Sequence, residues 1–405
     1  MARPRGLAGA TQDVVRRHNL AAVLSGVHLR GQASRAELTA ALGLNRSTIG
    51  ALTADLVAAG LVVEAVPELP ARSAGRPSLL VVPRDDVYVL AVHLGVEGVV
   101  AARVALGGRV LDRVLARHAD GGTEPDAVVA RVTEAVTALD ERAGPRRRCA
   151  GLAVAVCGVV RQSDGMVRMA PNLGWTDVPL GERLAGLAGP DVPVELRNEA
   201  DLGALAEHLR GAAVGVDDVI FVFGEVGIGG GVLAGGRPVS GRGGYAGEVG
   251  HLMVNPAGRG CRCGKVGCWE TEVSVDALIG SLGLTGADRP ESVRRVLAAA
   301  AEGVEPARAA VESFGHWLAV GVGQLVTVFN PEMIILGGML PEVYAQVRED
   351  VLRELRTAAL PAALEQVRLE VPALGSDAPL LGAAELAFAP LLADPLGVIE
   401  AAPAP

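Results

Sequence analysis

The sequence predicts an α/β protein in two unequal parts, a small helical N-terminal head and a larger body made of two similar halves. Residues 1–84 hold ten arginines against five acidic residues, a net charge of +5, whereas the rest of the chain carries −14 of the total of −9. The basic segment has the apolar spacing of short helices. The acidic segment twice shows apolar strands separated by glycine turns. These observations predict both the fold class and its division.

Length and composition exclude several classes of protein. The chain has 405 residues, of which 50% are hydrophobic, which is enough for two or three domain cores. It lacks an apolar run of about 18 residues and the pattern of a signal peptide, so we expect a soluble, cytoplasmic protein without a membrane partner. A basic head on an acidic body indicates a nucleic-acid-binding module joined to something else.

Residues 34–62 have the pattern of a helix-turn-helix motif, preceded by an amphipathic helix over residues 14–29. Ser34 and Glu37 form a capping box, Gly43 supplies the turn, and Asn45 caps the second helix. The apolar positions are Leu38, Ala41 and Leu42 in the first helix, and Ile49, Leu52 and Leu56 in the second.

The start of the second helix offers a DNA-reading surface. In a helix-turn-helix motif this turn meets the base edges in the major groove. Asn45, Arg46, Ser47 and Thr48 lie there, with Thr53 further along, and they combine short polar groups with one long cation. The alternative is an ordinary solvated face of a small helical bundle.

Residues 61–83 alternate into two strands around a tip rich in Gly, Pro and Arg, which is typical of the wing of a winged helix. Arg72 and Arg76 lie on this tip, where they could reach phosphates or a minor groove. The segment also fits an interdomain linker, and the two interpretations are compatible.

The body begins with apolar strands over residues 87–115, followed by a helix over 124–143 and a buried strand over 149–158. The pattern of strand, glycine turn and strand returns at residues 217–241. Two similar halves predict a duplicated α/β architecture with a cleft between two lobes, where ligands commonly bind.

A metal site is predicted within residues 250–270. His251, Cys261, Cys263 and Cys268 supply one imidazole and three thiolates, a full tetrahedral set for Zn²⁺. All four positions are filled by protein, so we expect the zinc to be structural. The alternative is ordinary reduced cysteines in a cytoplasmic protein.

Five blocks of sequence carry a family resemblance. They are "APNLGW" (170–175), "RNEADLGALAEHLRG" (197–211), "GEVGIGGG" (224–231), "GEVGHLMVNPAGRGCRCGKVGCWE" (247–270) and "NPEMIILGG" (330–338). The chain resembles the ROK family of repressors, open reading frames and sugar kinases over about residues 85–390. The resemblance implies a two-lobed, actin-like fold of the sugar kinase and ribonuclease H-like type behind the winged helix-turn-helix.

The resemblance also implies domains, partners and a sugar site. We expect a DNA-binding domain at 1–84, a first lobe at 85–198 and a second lobe at 199–405, whose C-terminal helices pack back on the first lobe. The family suggests a homodimer or homotetramer. The residues that match the family's sugar-binding positions are Asn172, Asn198, Glu199, Glu248, His251 and Glu270. Carboxylates and amides suit the hydroxyl groups of a sugar.

Departures from the kinase pattern favour a regulator over an enzyme. The kinases carry D-x-G-G-T, where this chain has His93–Gly98, with Val96 and Glu97 in place of the second Gly and the Thr. A carboxylate repels a triphosphate and a valine blocks its approach to the backbone. Glu225 and Val226 likewise replace a short turn of the Thr-Gly type.

The position of the catalytic base holds Glu199 rather than Asp, one methylene longer, so we expect no catalytic residue. The sequence therefore predicts a sugar-responsive DNA-binding regulator, a repressor of genes for carbohydrate uptake or metabolism. Its partners would be double-stranded operator DNA and a sugar or sugar phosphate. The alternatives are a ROK kinase that transfers the γ-phosphate of ATP to a hexose, and a scaffold protein without a ligand.

Overall fold

The head combines helices with a small antiparallel sheet. A computed structural model describes residues 12–67, 78–118, 122–144, 148–284 and 289–397. The elements of the head are α1 (Gln12–Arg30), β1 (Ala33–Ser34), α2 (Arg35–Leu42), α3 (Arg46–Ala58), β2 (Val62–Ala65) and β3 (Leu80–Pro83). Strands β2 and β3 pair antiparallel, and β1 pairs with β3. This is the predicted order of helices and hairpin.

The predicted capping residues set the helix ends in the head. The Ser34 hydroxyl accepts a hydrogen bond from the Glu37 amide, and the Glu37 carboxylate accepts one from the Ser34 amide at 2.7 Å. Gly43 ends α2 in the left-handed region with φ of 65°. Asn45 Oδ1 accepts from the Thr48 amide at 2.8 Å and starts α3. Both helix boundaries are confirmed.

Two predictions about side chains in the head are wrong. Thr53 is fully buried, and its hydroxyl donates to the Ile49 carbonyl at 2.7 Å, so it cannot face a DNA groove. Ala41 is exposed rather than part of the apolar face of α2. In both cases a short side chain is compatible with either environment, and packing decides. Arg72 and Arg76 lie outside the described residues.

The first half of the body is built on a five-stranded sheet in the order β11-β7-β4-β5-β6, beside a smaller sheet β10-β9-β8. Its elements are β4 (Val87–Leu94), β5 (Gly98–Ala105), β6 (Val110–Arg117), α4 (Pro125–Glu141), β7 (Arg148–Val156), β8 (Val159–Arg161), β9 (Met166–Ala170), β10 (Trp175–Val178), α5 (Leu180–Leu184) and β11 (Val194–Asn198).

The second half has a five-stranded sheet in the order β14-β13-β12-β15-β16. Its elements are α6 (Glu199–Arg210), β12 (Val219–Gly224), β13 (Ile228–Ala234), β14 (Arg237–Pro238), a 3₁₀ turn (Val249–His251), α7 (Trp269–Glu272), α8 (Val275–Gly280), α9 (Arg289–Ala301), α10 (Glu305–Phe329), β15 (Met333–Gly338), α11 (Leu340–Ala358), α12 (Pro361–Leu364), β16 (Arg368–Glu370), a second 3₁₀ turn (Gly375–Asp377) and α13 (Ala378–Ala393).

The two large sheets share one topology. In each, three consecutive strands pair antiparallel, the first of them pairs on its other side with a parallel strand, and that strand pairs with a second parallel strand at the edge. The central strands β4, β7, β12 and β15 are almost wholly apolar, as expected of strands covered on both faces. This repetition confirms the predicted duplicated α/β architecture.

Two helices fill the space between the sheets. Helix α6 packs against β12 and β13, α13 packs against β4 and β7, and the two helices pack on each other. Helix α1 of the head contacts α13, and Leu24 and Val27 of α1 belong to the same buried cluster as Val89 and Phe388 of the body. One apolar core therefore continues across residue 84, and the domain boundaries at 84 and 198 remain predictions.

Candidate functional site

Two cavities lie where the halves of the body meet. The inner cavity, of about 70 Å³, contains all six residues predicted to hold a sugar, namely Asn172, Asn198, Glu199, Glu248, His251 and Glu270. The outer cavity, of about 420 Å³, is lined by side chains that include His93, Glu97, Arg113, Arg289, Glu342 and Asp377. Glu225 and Val226 line both. The structure thus brings the predicted set together, while its role in binding stays a prediction.

The residues of the inner cavity come from the ends of regular elements. Asn198 ends β11 and Glu199 begins α6, while Glu248 precedes the first 3₁₀ turn and Glu270 lies in α7. Asn172 lies in the turn between β9 and β10. Side chains at strand ends and helix starts are held by the scaffold, so the cavity has a fixed polar lining.

The two asparagines also have structural hydrogen bonds that sequence reasoning missed. Asn198 Oδ1 accepts from the Ala200 amide at 2.7 Å, which caps α6, and its Nδ2 donates to the Gly158 carbonyl at 3.0 Å. Asn172 Oδ1 accepts from Arg262 Nη1 at 2.8 Å. An asparagine before a helix is a recognisable cap, whereas no local signal predicts the Arg262 contact.

Gly227 keeps the inner cavity open. A methyl group at this position would lie 2.6 Å from Glu270 Oε2 and 3.3 Å from Asn172 Nδ2. Any larger residue would therefore project between two of the polar groups that line the cavity.

Carboxyl groups crowd the inner cavity. Burial, followed by the charge of Glu270, raises the pKa of Glu248 to about 7. Asp201 of α6 lies near Glu248, and burial followed by the charge of Glu248 raises its pKa to about 7 as well. Part of this acidic lining is therefore protonated near neutral pH, and a protonated carboxyl group can both donate and accept hydrogen bonds.

A cluster beside the inner cavity could hold a metal ion. The ligand atoms of His251, Cys261, Cys263 and Cys268 all lie within 4.8 Å of one another. One imidazole and three sulfurs match the donor set of a tetrahedral structural zinc site. Glu270 Oε1 lies 2.8 Å from Cys261 Sγ and 3.5 Å from His251 Nδ1. The cluster thus shares His251 with the cavity lining and contacts a second lining residue, Glu270.

His93 is bonded to Glu199. Its Nε2 lies 2.7 Å from Glu199 Oε2, and the two side chains are 11% and 13% exposed. Burial opposes the charged imidazole, but the hydrogen bond to Glu199 and the charges of Glu199 and Glu225 outweigh it and raise the pKa of His93. The substitution seen in the sequence at residue 93 therefore places an imidazole against the carboxylate at the catalytic base position, within hydrogen-bond distance of it.

Ion pairs cross the outer cavity. Arg113 of β6 pairs with Asp377 at 2.8 Å, and Arg289 of α9 lies 3.6 Å from Glu97 of the β4–β5 turn. Arginines that would otherwise be available to a phosphate are thus partnered by carboxylates of the cavity itself.

The predicted DNA-reading residues lie together at the start of α3. Asn45, Arg46 and Ser47 are exposed, Thr48 is half-buried, and Ser47 Oγ donates to Asn45 Oδ1 at 2.7 Å. Ser47 and Thr48 also line a groove between α1 and α3. Asn45 is therefore the cap of the helix, with its side-chain oxygen already engaged.

A buried ionic cluster joins the head to the body. The Gly107 amide donates to His28 Nδ1 at 2.9 Å, and His28 Nε2 lies 3.0 Å from Glu385 Oε2 and 2.7 Å from Arg210 Nη2. Arg210 Nε donates to Glu385 at 2.5 Å, and Arg210 Nη2 donates to the His28 carbonyl at 3.2 Å. His28 belongs to α1, Arg210 ends α6 and Glu385 lies in α13. Sequence reasoning missed this cluster.

Known proteins resemble this chain over most of its length. A xylose repressor from Caldicellulosiruptor bescii is 28% identical over 380 residues, which cover 89% of this chain and 93% of the relative. A crystal structure of a ROK family transcriptional regulator, a homologue of the E. coli MLC protein, superposes with a TM-score of 0.76 at 26% identity and covers 95% of this chain and 99% of its own.

A kinase resembles a smaller share of the chain. A ROK family glucokinase from Streptomyces griseus, in complex with glucose and AMPPNP, has a TM-score of 0.64 at 26% identity and covers 74% of this chain and 98% of its own. Across the described residues, the helices are too short or too polar to cross a bilayer.

The family model of the ROK family matches residues 89–389, and the chain belongs to the ROK family.

Proposed function

We propose that this protein is a sugar-responsive, DNA-binding transcriptional regulator that represses carbohydrate genes and lacks kinase activity. The observation that carries the proposal is the contrast inside one cleft. Six polar side chains suited to a sugar converge on the inner cavity, while the outer cavity presents carboxylates and paired arginines. The similarity to a xylose repressor covers 89% of the chain and therefore extends into the head, whereas the similarity to a glucokinase covers 74% of the chain.

The head supports the DNA-binding part of the proposal. Arg46 and Ser47 are exposed at the first turn of α3, where a helix-turn-helix protein contacts bases. A homodimer, or a tetramer built from dimers, would present two such heads to a pseudo-palindromic operator with half-sites about 34–36 Å apart. Such a regulator works in the cytoplasm, and residues 1–84 form its DNA-binding domain.

The metal part of the proposal is one structural zinc ion per chain. His251, Cys261, Cys263 and Cys268 would hold it, and an ion bound there would fix the loop over residues 258–268 against α7. His251 and Glu270 would then be oriented for a sugar through the same loop.

Helix α6 supplies a physical connection between sugar and DNA. It begins at Glu199 in the inner cavity and ends at Arg210, which bonds to His28 in α1 of the head. In this proposal the two lobes of the body can take two positions relative to each other. A sugar that binds one of them more tightly would shift the body toward that position, and α6 would carry the movement to the head. Glu199 at the start of α6 and Arg210 at its end are therefore part of the proposed response.

The test is operator affinity as a function of sugar concentration. The operator would be selected from random duplexes, and the sugars would be neutral pentoses and hexoses. We expect the active sugar to change operator affinity about 5–150-fold in the wild type. Glu248→Gln should blunt that change and keep the affinity without sugar. Glu385→Gln should keep sugar affinity and weaken the coupling. A wild type that no sugar affects would overturn the sensor proposal.

The kinase is the second candidate, because the glucokinase from Streptomyces griseus shares the body. It predicts sugar phosphate from sugar and Mg-ATP. We expect none, since Glu199 is paired with His93, and since Glu97 and Glu225 stand where phosphates would approach.

A further inference from the structure

His93, Glu199 and Glu225 together separate the inner cavity from the outer one. His93 lines the outer cavity, Glu199 lines the inner cavity, and Glu225 lines both. The bond of 2.7 Å between His93 and Glu199 ties the two sides together. We call these three residues the acidic wall.

The wall is built from strand ends of both halves. His93 pairs with Ala155 of β7, and Asn198, directly before Glu199, pairs with Val156 of the same strand. Glu225 directly follows β12 of the second sheet. The carboxyl ends of parallel strands are a common place for ligand-binding side chains, and here two sheets bring theirs to one point.

Glu225 differs from the other two members because its carboxyl group has no partner among the residues that the structure describes. His93 and Glu199 bond to each other, whereas among the described residues the Glu225 carboxyl group makes no side-chain hydrogen bond or ion pair. Burial, followed by the charge of Glu199, raises the pKa of Glu225 to about 7. A carboxyl group in this condition can exchange hydrogen bonds with a ligand in the inner cavity, which it lines.

The charged and titratable groups around Glu225 come from several elements. His93 approaches from β4, Glu97 from the β4–β5 turn and Glu199 from α6, while Arg289 approaches from α9. Cys157, after β7, also lines the inner cavity, and burial followed by the charges of Glu199 and Glu225 raises its pKa well above the usual value. The thiol is therefore neutral, and the carboxyl groups set the charge that a ligand meets.

We propose that Glu225 is a ligand-contacting, specificity-determining residue, and that the acidic wall makes the inner cavity accept an uncharged sugar and reject its phosphate ester. The inference rests on the proposed function, since it names the class of effector for the same cavity. A sugar hydroxyl can exchange hydrogen bonds with Glu225, whereas a phosphate group brings like charge against Glu225 and Glu199 in a poorly solvated space.

Two arginines without a carboxylate partner among the described residues lie beside the inner cavity. Arg259 and Arg262 line a neighbouring open cavity that shares Asn172 and Glu270 with the inner one. A phosphate directed there would avoid the acidic wall. The proposal therefore makes a distinct prediction, because binding through these arginines would not respond to Glu225.

The experiment measures paired affinities by calorimetry, for neutral D-glucose, D-mannose, N-acetyl-D-glucosamine and D-xylose and for the phosphate ester of each. We expect the wild type to bind its neutral sugar at least about 100-fold more tightly than the ester. Glu225→Gln should reduce that ratio at least about tenfold, because it removes the charge and keeps the shape. Glu342→Gln is the matched control, since Glu342 is exposed and lines only the outer cavity.

The pH dependence gives a second readout. Glu225 is mostly ionised at about pH 8 and mostly protonated at about pH 6, so the wild-type ratio should fall as the pH falls. The phosphate ester gains its own proton over the same range, and so does Glu248, whose pKa is also about 7. Glu225→Gln corrects for both, because it shares these changes and lacks only the titration of Glu225. A wild-type ratio near one, or an equal ratio in wild type and Glu225→Gln, would overturn the inference. A wild type that binds none of these sugars or esters contradicts the proposed function instead.

Discussion

The inner and outer cavities differ in how their carboxyl groups are partnered. On the outer side, Asp377 pairs with Arg113 and Glu97 lies 3.6 Å from Arg289. Glu248, on the inner side, and Glu225, which lines both cavities, make no such pairs among the described residues, and burial raises the pKa of each to about 7. Glu342 of the outer cavity has no ion pair among these residues either, but it is exposed to solvent. A carboxylate in an ion pair already has its partner within the protein, whereas a buried carboxyl group without one remains available to bond to a ligand. The contrast indicates that the inner cavity is the one prepared for a ligand.

The largest expected effect comes from filling the inner cavity. Gly227→Ala would place a methyl group 2.6 Å from Glu270 Oε2, so we expect sugar affinity to fall about 100-fold or more while the protein stays folded. Gly95→Ala is the control in the outer cavity, where the nearest atoms would lie 3.9 Å from the added methyl. Calorimetry measures both. If the two variants bind sugar equally well, the comparison between the cavities fails.

Loss of the metal cluster is expected to have the second largest effect on sugar binding. Cys263→Ser should reduce zinc from about one ion per chain to nearly none, lower the free energy of unfolding by several kcal/mol, and weaken sugar binding about 10–100-fold. The weakening is expected because His251 belongs to the cluster and Glu270 contacts it through Cys261. Cys149→Ser, outside the cluster, is the control. Elemental analysis and urea unfolding provide the measurements, and a metal-free wild type with full stability would contradict the zinc site.

Buried carboxyl groups without an ion pair among the described residues should also affect how the stability of the protein depends on pH. Burial raises the pKa of Asp201 from 3.8 to about 7 in the folded protein, so the folded state holds its proton where the unfolded chain has lost it. Wild-type stability should therefore fall as the pH rises from about 4 to about 7, by at least about 1 kcal/mol from this group. Asp201→Asn should flatten that slope, and exposed Asp191→Asn should not. Urea unfolding between about pH 4 and pH 7 measures this slope. Identical slopes of stability against pH in the wild type and both variants would show that Asp201 is not a buried carboxyl group without an ion pair among the described residues.

The smallest effect is expected from the ion pairs of the outer cavity. Glu97→Gln removes the charge that faces Arg289, but the Glu97 side chain is 42% exposed, so stability should change by only about 0–1 kcal/mol. We also expect no gain of ATP binding, because Glu225 and Val226 still line the cavity. A thermal shift of this variant with Mg-ATP would show instead that one ion pair is what excludes the nucleotide.

Local patterns predicted much of the fold and of the site. Capping residues such as Ser34, Gly43 and Asn45 act within a few residues of the chain, so the helix ends of the head could be read directly. The sequence blocks of the family placed the cysteine cluster and the six residues of the inner cavity in one region. Thr53 was misjudged because a threonine hydroxyl can satisfy itself on the carbonyl four residues earlier and be buried.

Long-range partners could not be predicted. His28 and Glu385 are 357 positions apart, and each interrupts an apolar helix face, a signal of a buried polar group without any indication of its partner. The contact between Arg262 and Asn172 likewise depends on how the loop over residues 258–268 folds over the cavity. Glu225 was recognised as a departure from the kinases, but its missing partner is visible only in three dimensions.

The most direct test of the central claim combines both cavities in one measurement. Operator binding, followed by fluorescence anisotropy, would be titrated with the active neutral sugar, with and without Mg-ATP, while the sugar is analysed for phosphorylation. The account predicts a sugar-dependent change in operator affinity of about 5–150-fold that Mg-ATP leaves unaltered, and no sugar phosphate. Formation of sugar phosphate, or a sugar response that requires Mg-ATP, would contradict it, because the outer cavity would then be a working nucleotide site.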